Sequence, residues 1–214
     1  ATGLYGAMIV MLSHGFVTSA LFLCVGVIYS RGHTRLIERF GGLAKNMPVY
    51  ASFFGLFMLA SVGLPGLSGF VGEFLSVLGA FRVERVYGIF SLVVIILAGW
   101  YMMRMYERVV WRRAPGEPPD PEDPASRVTP PGEPGAGTAA ARPPQPVAGG
   151  SGPFADDPHF VPPQTFRDLN WKEVLQFVPL AALTIWLGVY PQWFMDILKP
   201  ALMMIARPFG GVGF

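Results

Sequence analysis

The sequence predicts an all-α membrane protein with about four transmembrane helices, one of them broken at Pro65. Three observations support this. Hydrophobic residues make up 52% of the 214 positions and charged residues only 14%, against roughly 25% charge in soluble domains. The mean hydropathy is +0.44. The charges fall between apolar runs, several of which match the roughly 20 helical residues needed to cross a hydrocarbon core of about 30 Å.

From Tyr5 to Tyr29 there is no Asp, Glu, Lys or Arg, which defines the first span. A basic loop follows, with Arg31, Arg35, Arg39 and Lys45 against Glu38. The next apolar run, from Pro48 to Phe81, is too long for one straight crossing. It contains Pro65, which has no backbone N–H to bond the Ser61 carbonyl, so a broken helix is expected there. A short turn with Arg82, Glu84 and Arg85 leads to a third span, Val86 to Met103, whose helix continues into the polar stretch "RMYERVVWRR". Between Ala114 and Pro163 lie fifteen of the 21 prolines and almost no large aliphatic residues. That composition cannot bury enough surface to fold, so residues 112–170 read as a disordered loop. The last span runs from Trp171 to about Tyr190, with Trp171, Trp186, Tyr190 and Trp193 placed for the membrane interfaces. The tail after it, within 171–214, reads as an amphipathic surface helix, and its methionines as packing residues rather than metal ligands.

If the spans alternate, Arg31, Arg35, Arg39, Lys45, Arg104, Arg108, Arg112, Arg113 and Lys172 share one side, while Arg82, Arg85, Lys199 and Arg207 lie on the other. The positive-inside rule places the first group and the proline-rich loop in the cytoplasm and the C-terminus outside. A net charge of +2 with no basic stripe argues against nucleic acid as a partner. A single cysteine, Cys24, and three scattered histidines, His14, His33 and His159, supply neither a disulfide framework nor metal-ligand spacing. The chain opens on alanine with no charged leader region, and so reads as cut from something longer.

Glu73, in "GLPGLSGFVGEF", is the one carboxyl inside the apolar runs of the first three spans. Insertion scales put an acidic residue at mid-membrane at about 2.5–3.5 kcal/mol, and such a carboxyl is a functional candidate that takes and releases a proton. Pro65 frees backbone carbonyls beside it, and Gly63, Gly66, Gly69 and Gly72 permit close helix approach or local unwinding. The alternative is a glutamate that reaches the headgroups, with glycines that serve packing alone. His14 is the only ionisable group in the first span apart from its tyrosines. It is a candidate relay, and Ser13 and Thr18, the latter at i+4, could extend a hydrogen-bonded path. Its alternative is a histidine that only ties two helices together. His33 and Arg35 read as anchors of the helix end.

The segments "MLSHGFVTSALFLCVGVIY", "HTR", "FGGLAKNMP" and "ASVGLPGLSGFVGEF" resemble the C-terminal part of the M-subunit (chain 4) family of proton-translocating NADH:quinone oxidoreductase, respiratory complex I. These antiporter-like subunits are related to those of Mrp sodium/proton antiporters. The likeness is strong over roughly residues 1–110 and loose over the last span. It implies a fragment of a fourteen-helix fold, with residues 1–111 belonging to its second inverted repeat. His14 then matches the axis histidine and Glu73 the carboxyl of the second broken helix. The implied activity is proton pumping coupled to electron transfer from NADH to quinone. NADH, FMN, iron–sulfur clusters and quinone would be held by partner subunits and none by this chain. The implied partners are the other membrane-arm subunits, including adjacent antiporter-like ones, and membrane lipids; the implied location is the bacterial inner membrane. Sodium/proton antiporter and membrane hydrogenase subunits, and a passive membrane scaffold, remain the alternatives. The first repeat's input glutamate and lysine are outside this sequence, and the proline-rich loop is longer than the family leads one to expect.

Overall fold

The computed structural model describes residues 2–113 and 161–206, and in them every regular element is helical. Helix α1, Thr2–Gly32, is the longest, at about 46 Å from its 31 residues. It ends where His33 takes a left-handed conformation (φ 50°) and donates its N–H to the Tyr29 carbonyl at 2.8 Å. The anchoring read for His33 and Arg35 is present: the His33 ring meets Tyr29 edge-on, and the Arg35 guanidinium lies 5.1 Å from the Tyr29 ring centre. A 3-10 turn at Ile37–Arg39 and the short helix α2, Leu43–Asn46, lead into α3, Pro48–Ser61.

The expected break is a full interruption. Helix α3 has 14 residues and α4, Ser68–Val83, has 16, each short of the roughly 20 needed to cross alone. Helix α5, Arg85–Tyr106, runs into a π-helical turn, Glu107–Trp111. Helix α6 covers Trp171–Val189 and tolerates Pro179 inside it, and α7 covers Gln192–Ala206. By length and composition α1, α5 with its π turn, and α6 can each cross a membrane.

The core surrounds α3. Tyr50, Phe57 and Met58 are buried there with Phe177 of α6, which packs against Phe53 and Phe57. Tyr106 of α5 donates its hydroxyl to the Ala51 carbonyl at 3.0 Å, and Tyr50 donates to Cys24 of α1 at 3.3 Å. Most of α5 is different. Val86, Ile89, Phe90, Val94, Ile96 and Trp100 are exposed, as suits a helix whose solvent is lipid.

One expectation is corrected. Residues 161–170, assigned from composition to the disordered loop, form a packed segment with a 3-10 turn at Pro163–Thr165. Pro163 and Phe166 are buried, and the Phe166 and Phe40 rings close over Gly32. The Asp168 carboxylate accepts from the N–H groups of Val49 at 2.9 Å and Tyr50 at 3.1 Å, satisfying first-turn donors of α3 that its own sequence leaves uncapped. Arg31, at the end of α1, donates to the Asp168 carbonyl at 3.3 Å and pairs with Glu173 of α6 at 2.9 Å. Averaging over a long proline-rich window hid these few anchoring side chains. The rest of that loop, 114–160, lies outside the described residues, as does the tail from 207 onward.

Replacing Asp168 with Ala removes both bonds to α3 and is expected to cost about 1–2 kcal/mol. The temperature at which buried Cys24 becomes reactive to a thiol dye should fall in the detergent-solubilised full-length subunit. Asp168→Asn keeps an acceptor oxygen and should lower it less.

Candidate functional site

The break is built by local chemistry. Pro65 has no N–H, and the chain passes through Gly63 (φ 79°) and Gly66 (φ 93°), both left-handed. The turn closes with the Leu64 N–H on the Leu59 carbonyl at 3.0 Å and the Leu67 N–H on the Leu64 carbonyl at 3.1 Å. Two of the four glycines therefore serve unwinding. The other two serve close approach. At Gly69 a Cβ would strike the Ala60 carbonyl of α3, and at Gly72 it would lie 2.7 Å from the backbone nitrogen of Val10 in α1.

Helix α1 answers with its own glycines. A Cβ at Gly6 would fall 2.5 Å from the Ser76 nitrogen, and Gly3 lies directly against Gly79. Helices α1 and α4 thus meet backbone to backbone, and α1 packs more extensively against α4 than against any other element. Above this seam Ser13 and Ser68, both buried, hydrogen-bond hydroxyl to hydroxyl at 2.7 Å. On the far side of the break, Gly188 of α6 sits so close to the Gly66 carbonyl and Leu67 that no side chain fits between them.

Glu73 does not reach away from the break. Its carboxyl folds back against Gly63 and lines a cavity of about 50 Å3 together with Val10, Ser13, His14, Val17, Thr18, Ala60, Ser61 and Gly69. All four residues singled out from the sequence, Glu73, His14, Ser13 and Thr18, border this one space. The Thr18 hydroxyl, one helical turn along α1, lies 3.2 Å from His14 Nδ1 and 3.3 Å from Nε2. Glu73 is half-buried, and no basic side chain pairs with it among the described residues.

A buried water needs about 10–15 Å3 of such space and two to four polar partners, so the cavity has room for roughly three. Ser13, His14, Thr18, Ser61 and Glu73 supply the partners. A carboxyl, an imidazole and three hydroxyls around a wet space can pass a proton by short hydrogen-bonded steps. Among the described residues no three His, Cys, Asp or Glu side chains converge as a metal site would require. Ser61 and Ser68 were missed as site residues. The signal for them was their position on either side of Pro65, where a hydroxyl is well placed beside freed backbone.

Residues 1–98 match the family model described as NADH:quinone oxidoreductase/Mrp antiporter, transmembrane region. NADH-quinone oxidoreductase subunit M of Rhodobacter capsulatus is 36% identical over 207 residues, covering 97% of this chain and 32% of the relative. Among solved structures, a chain of respiratory complex I from Thermus thermophilus with bound NADH superposes with a TM-score of 0.68 at 26% identity, over 97% of this chain and 34% of that one. A chain of the Mrp complex from a Dietzia strain superposes at 0.63 and 24% identity, over 90% of this chain and 36% of its own, which is a likeness of fold. The chain thus spans about a third of the length of the relatives it matches.

The serine contact gives a direct check on the seam. The pair Ser13→Cys and Ser68→Cys should form a disulfide on mild oxidation of membranes, because the two hydroxyl oxygens already lie 2.7 Å apart. Adding Gly72→Val, which forces a side chain into the α1 backbone, should suppress that cross-link.

Proposed function

We propose, from the match of residues 1–98 to the NADH:quinone oxidoreductase/Mrp antiporter family and the likeness to subunit M, that this chain is the C-terminal part of a proton-translocating M-type subunit of respiratory complex I. The observation that supports this best is the shared cavity. Glu73, His14, Ser13, Thr18 and Ser61 converge between α1 and the break, the set of groups a hydrogen-bonded proton relay requires.

In this mechanism His14, exposed at the mouth of the cavity, receives a proton from the part of the subunit that precedes this chain. Water and the Thr18 and Ser13 hydroxyls carry it inward, and Glu73 accepts it and releases it toward the outer side. The freed carbonyls of the break orient those waters. The chain itself contributes no redox centre, since its sequence has neither a dinucleotide-binding glycine motif nor a cysteine cluster. NADH, flavin, iron–sulfur clusters and quinone belong to partner subunits, and the direct neighbours are other antiporter-like membrane subunits and lipid. The runner-up is a sodium/proton antiporter subunit, since the family model that matches residues 1–98 also covers Mrp antiporters.

The deciding experiment uses the full-length subunit with Glu73→Gln in the assembled complex. NADH-driven acidification of inverted vesicles is measured beside the electron-transfer rate. Proton passage through this site should slow about a hundredfold or more, the usual loss on removing an acid–base group, with assembly intact. Normal pumping per electron would leave Glu73 a packing residue. Sodium-driven proton exchange without NADH would instead support the antiporter reading.

The membrane is the bacterial inner membrane in this reading, with 31–47 cytoplasmic and the 82–85 turn outside. A membrane-impermeant thiol reagent should label Glu38→Cys only in inverted vesicles and Glu84→Cys only in right-side-out ones. Both positions are exposed.

A further inference from the structure

The left-handed turn at Gly63 has a second consequence besides breaking the helix. With no side chain there, the Glu73 carboxyl lies directly against the Gly63 Cα, across the ten residues of sequence that the break folds back. A Cβ built at Gly63 would clash with Glu73 Oε2 and fall 3.1 Å from Cδ and 3.6 Å from Oε1. The nearest atoms are those of this one carboxyl. The carboxyl is also the end of a flexible side chain, so it would move before the backbone did. We infer that Gly63 is a positioning residue for Glu73: its bare Cα forms the notch that seats the carboxyl at the edge of the cavity shared with His14 and Ser61.

The inference rests on the proton-path reading of Glu73, but the contact can be tested apart from it. The chain supplies its own control. Gly66 has the same kind of left-handed backbone (φ 93°), yet a Cβ there meets nothing within 4 Å. Alanine at either position brings the strain of an L-residue in that conformation. Only alanine at 63 also displaces the carboxyl. The two substitutions separate backbone strain from carboxyl placement.

The test is made in the assembled complex with full-length subunits carrying Gly63→Ala, Gly66→Ala or Glu73→Gln. Two quantities are read: protons pumped per electron, and the rate at which dicyclohexylcarbodiimide, an apolar reagent for protonated carboxyls, modifies Glu73 by peptide mass spectrometry. Gly63→Ala should change the labelling rate several-fold and lower the protons pumped per electron to the Glu73→Gln value, since a misplacement on the order of 1 Å in a reacting group can slow its step up to about a hundredfold. Gly66→Ala should stay near the parent in both. Equal labelling in the two alanine variants overturns the notch, whatever happens to pumping. Normal pumping by Glu73→Gln overturns the proton-path reading and leaves the labelling comparison to decide the notch alone. If Gly63→Ala fails to assemble, Gly63→Asn against Gly66→Asn replaces it. Asparagine tolerates the left-handed conformation while keeping the same Cβ, so the labelling comparison still supports or overturns the notch.

Discussion

Backbone interrupted at membrane depth must be surrounded by protein, and the rest of this structure follows from that constraint. Pro65 and the two left-handed glycines leave carbonyls of the α3 end without helical partners, and lipid offers them none. The chain therefore brings α1, α4 and α6 closer to the break than ordinary side chains allow. Gly6 and Gly72 remove the side chains along the α1–α4 seam, Gly69 removes one at the start of α4, and Gly188 removes one where α6 covers the Gly66 carbonyl. A small polar-lined cavity in this crowded place follows from the same geometry: where the helix ends cannot fill the space themselves, hydroxyls and a carboxyl line what is left.

The sequence showed the parts of this that have a local signal. A proline inside an apolar run marks a break because it lacks a donor, and an ionisable residue among aliphatic ones stands out because lipid makes it costly, so Pro65, Glu73 and His14 were all legible. Thr18 followed from helical spacing. The tertiary pairings could not be read. Ser13 meets Ser68 across 55 positions, and Asp168 caps α3 across 118 and 119. Neither partner is unusual in its own neighbourhood, since serines are common and an aspartate in a proline-rich stretch looks solvated. The sequence also left two uses open for the glycines. The structure divides them: Gly63 and Gly66 turn the chain, while Gly69 and Gly72 let backbones touch.

The site and its anchoring occupy different ends of the molecule. The charged end of α1 is tied down by Arg31, which reaches both the Asp168 carbonyl and Glu173, while Asp168 itself holds the start of α3. The Arg31–Glu173 pair is half-buried, where a guanidinium–carboxylate pair is screened less than on an open surface. Their effect on the cavity is indirect. Fixing the first turn of α3 fixes the direction in which that helix delivers Ser61 and the break to α1.

The same anchoring fixes where the chain leaves the bundle after α5 and where it returns before α6. Here the π turn after α5 buries Val109 and Val110 in the core, and the returning segment buries Pro163 and Phe166 before Asp168 and Glu173 make their contacts. Both flanking segments are therefore pinned to the bundle, and the second sets the start of α6, whose Gly188 must meet the break within van der Waals distance.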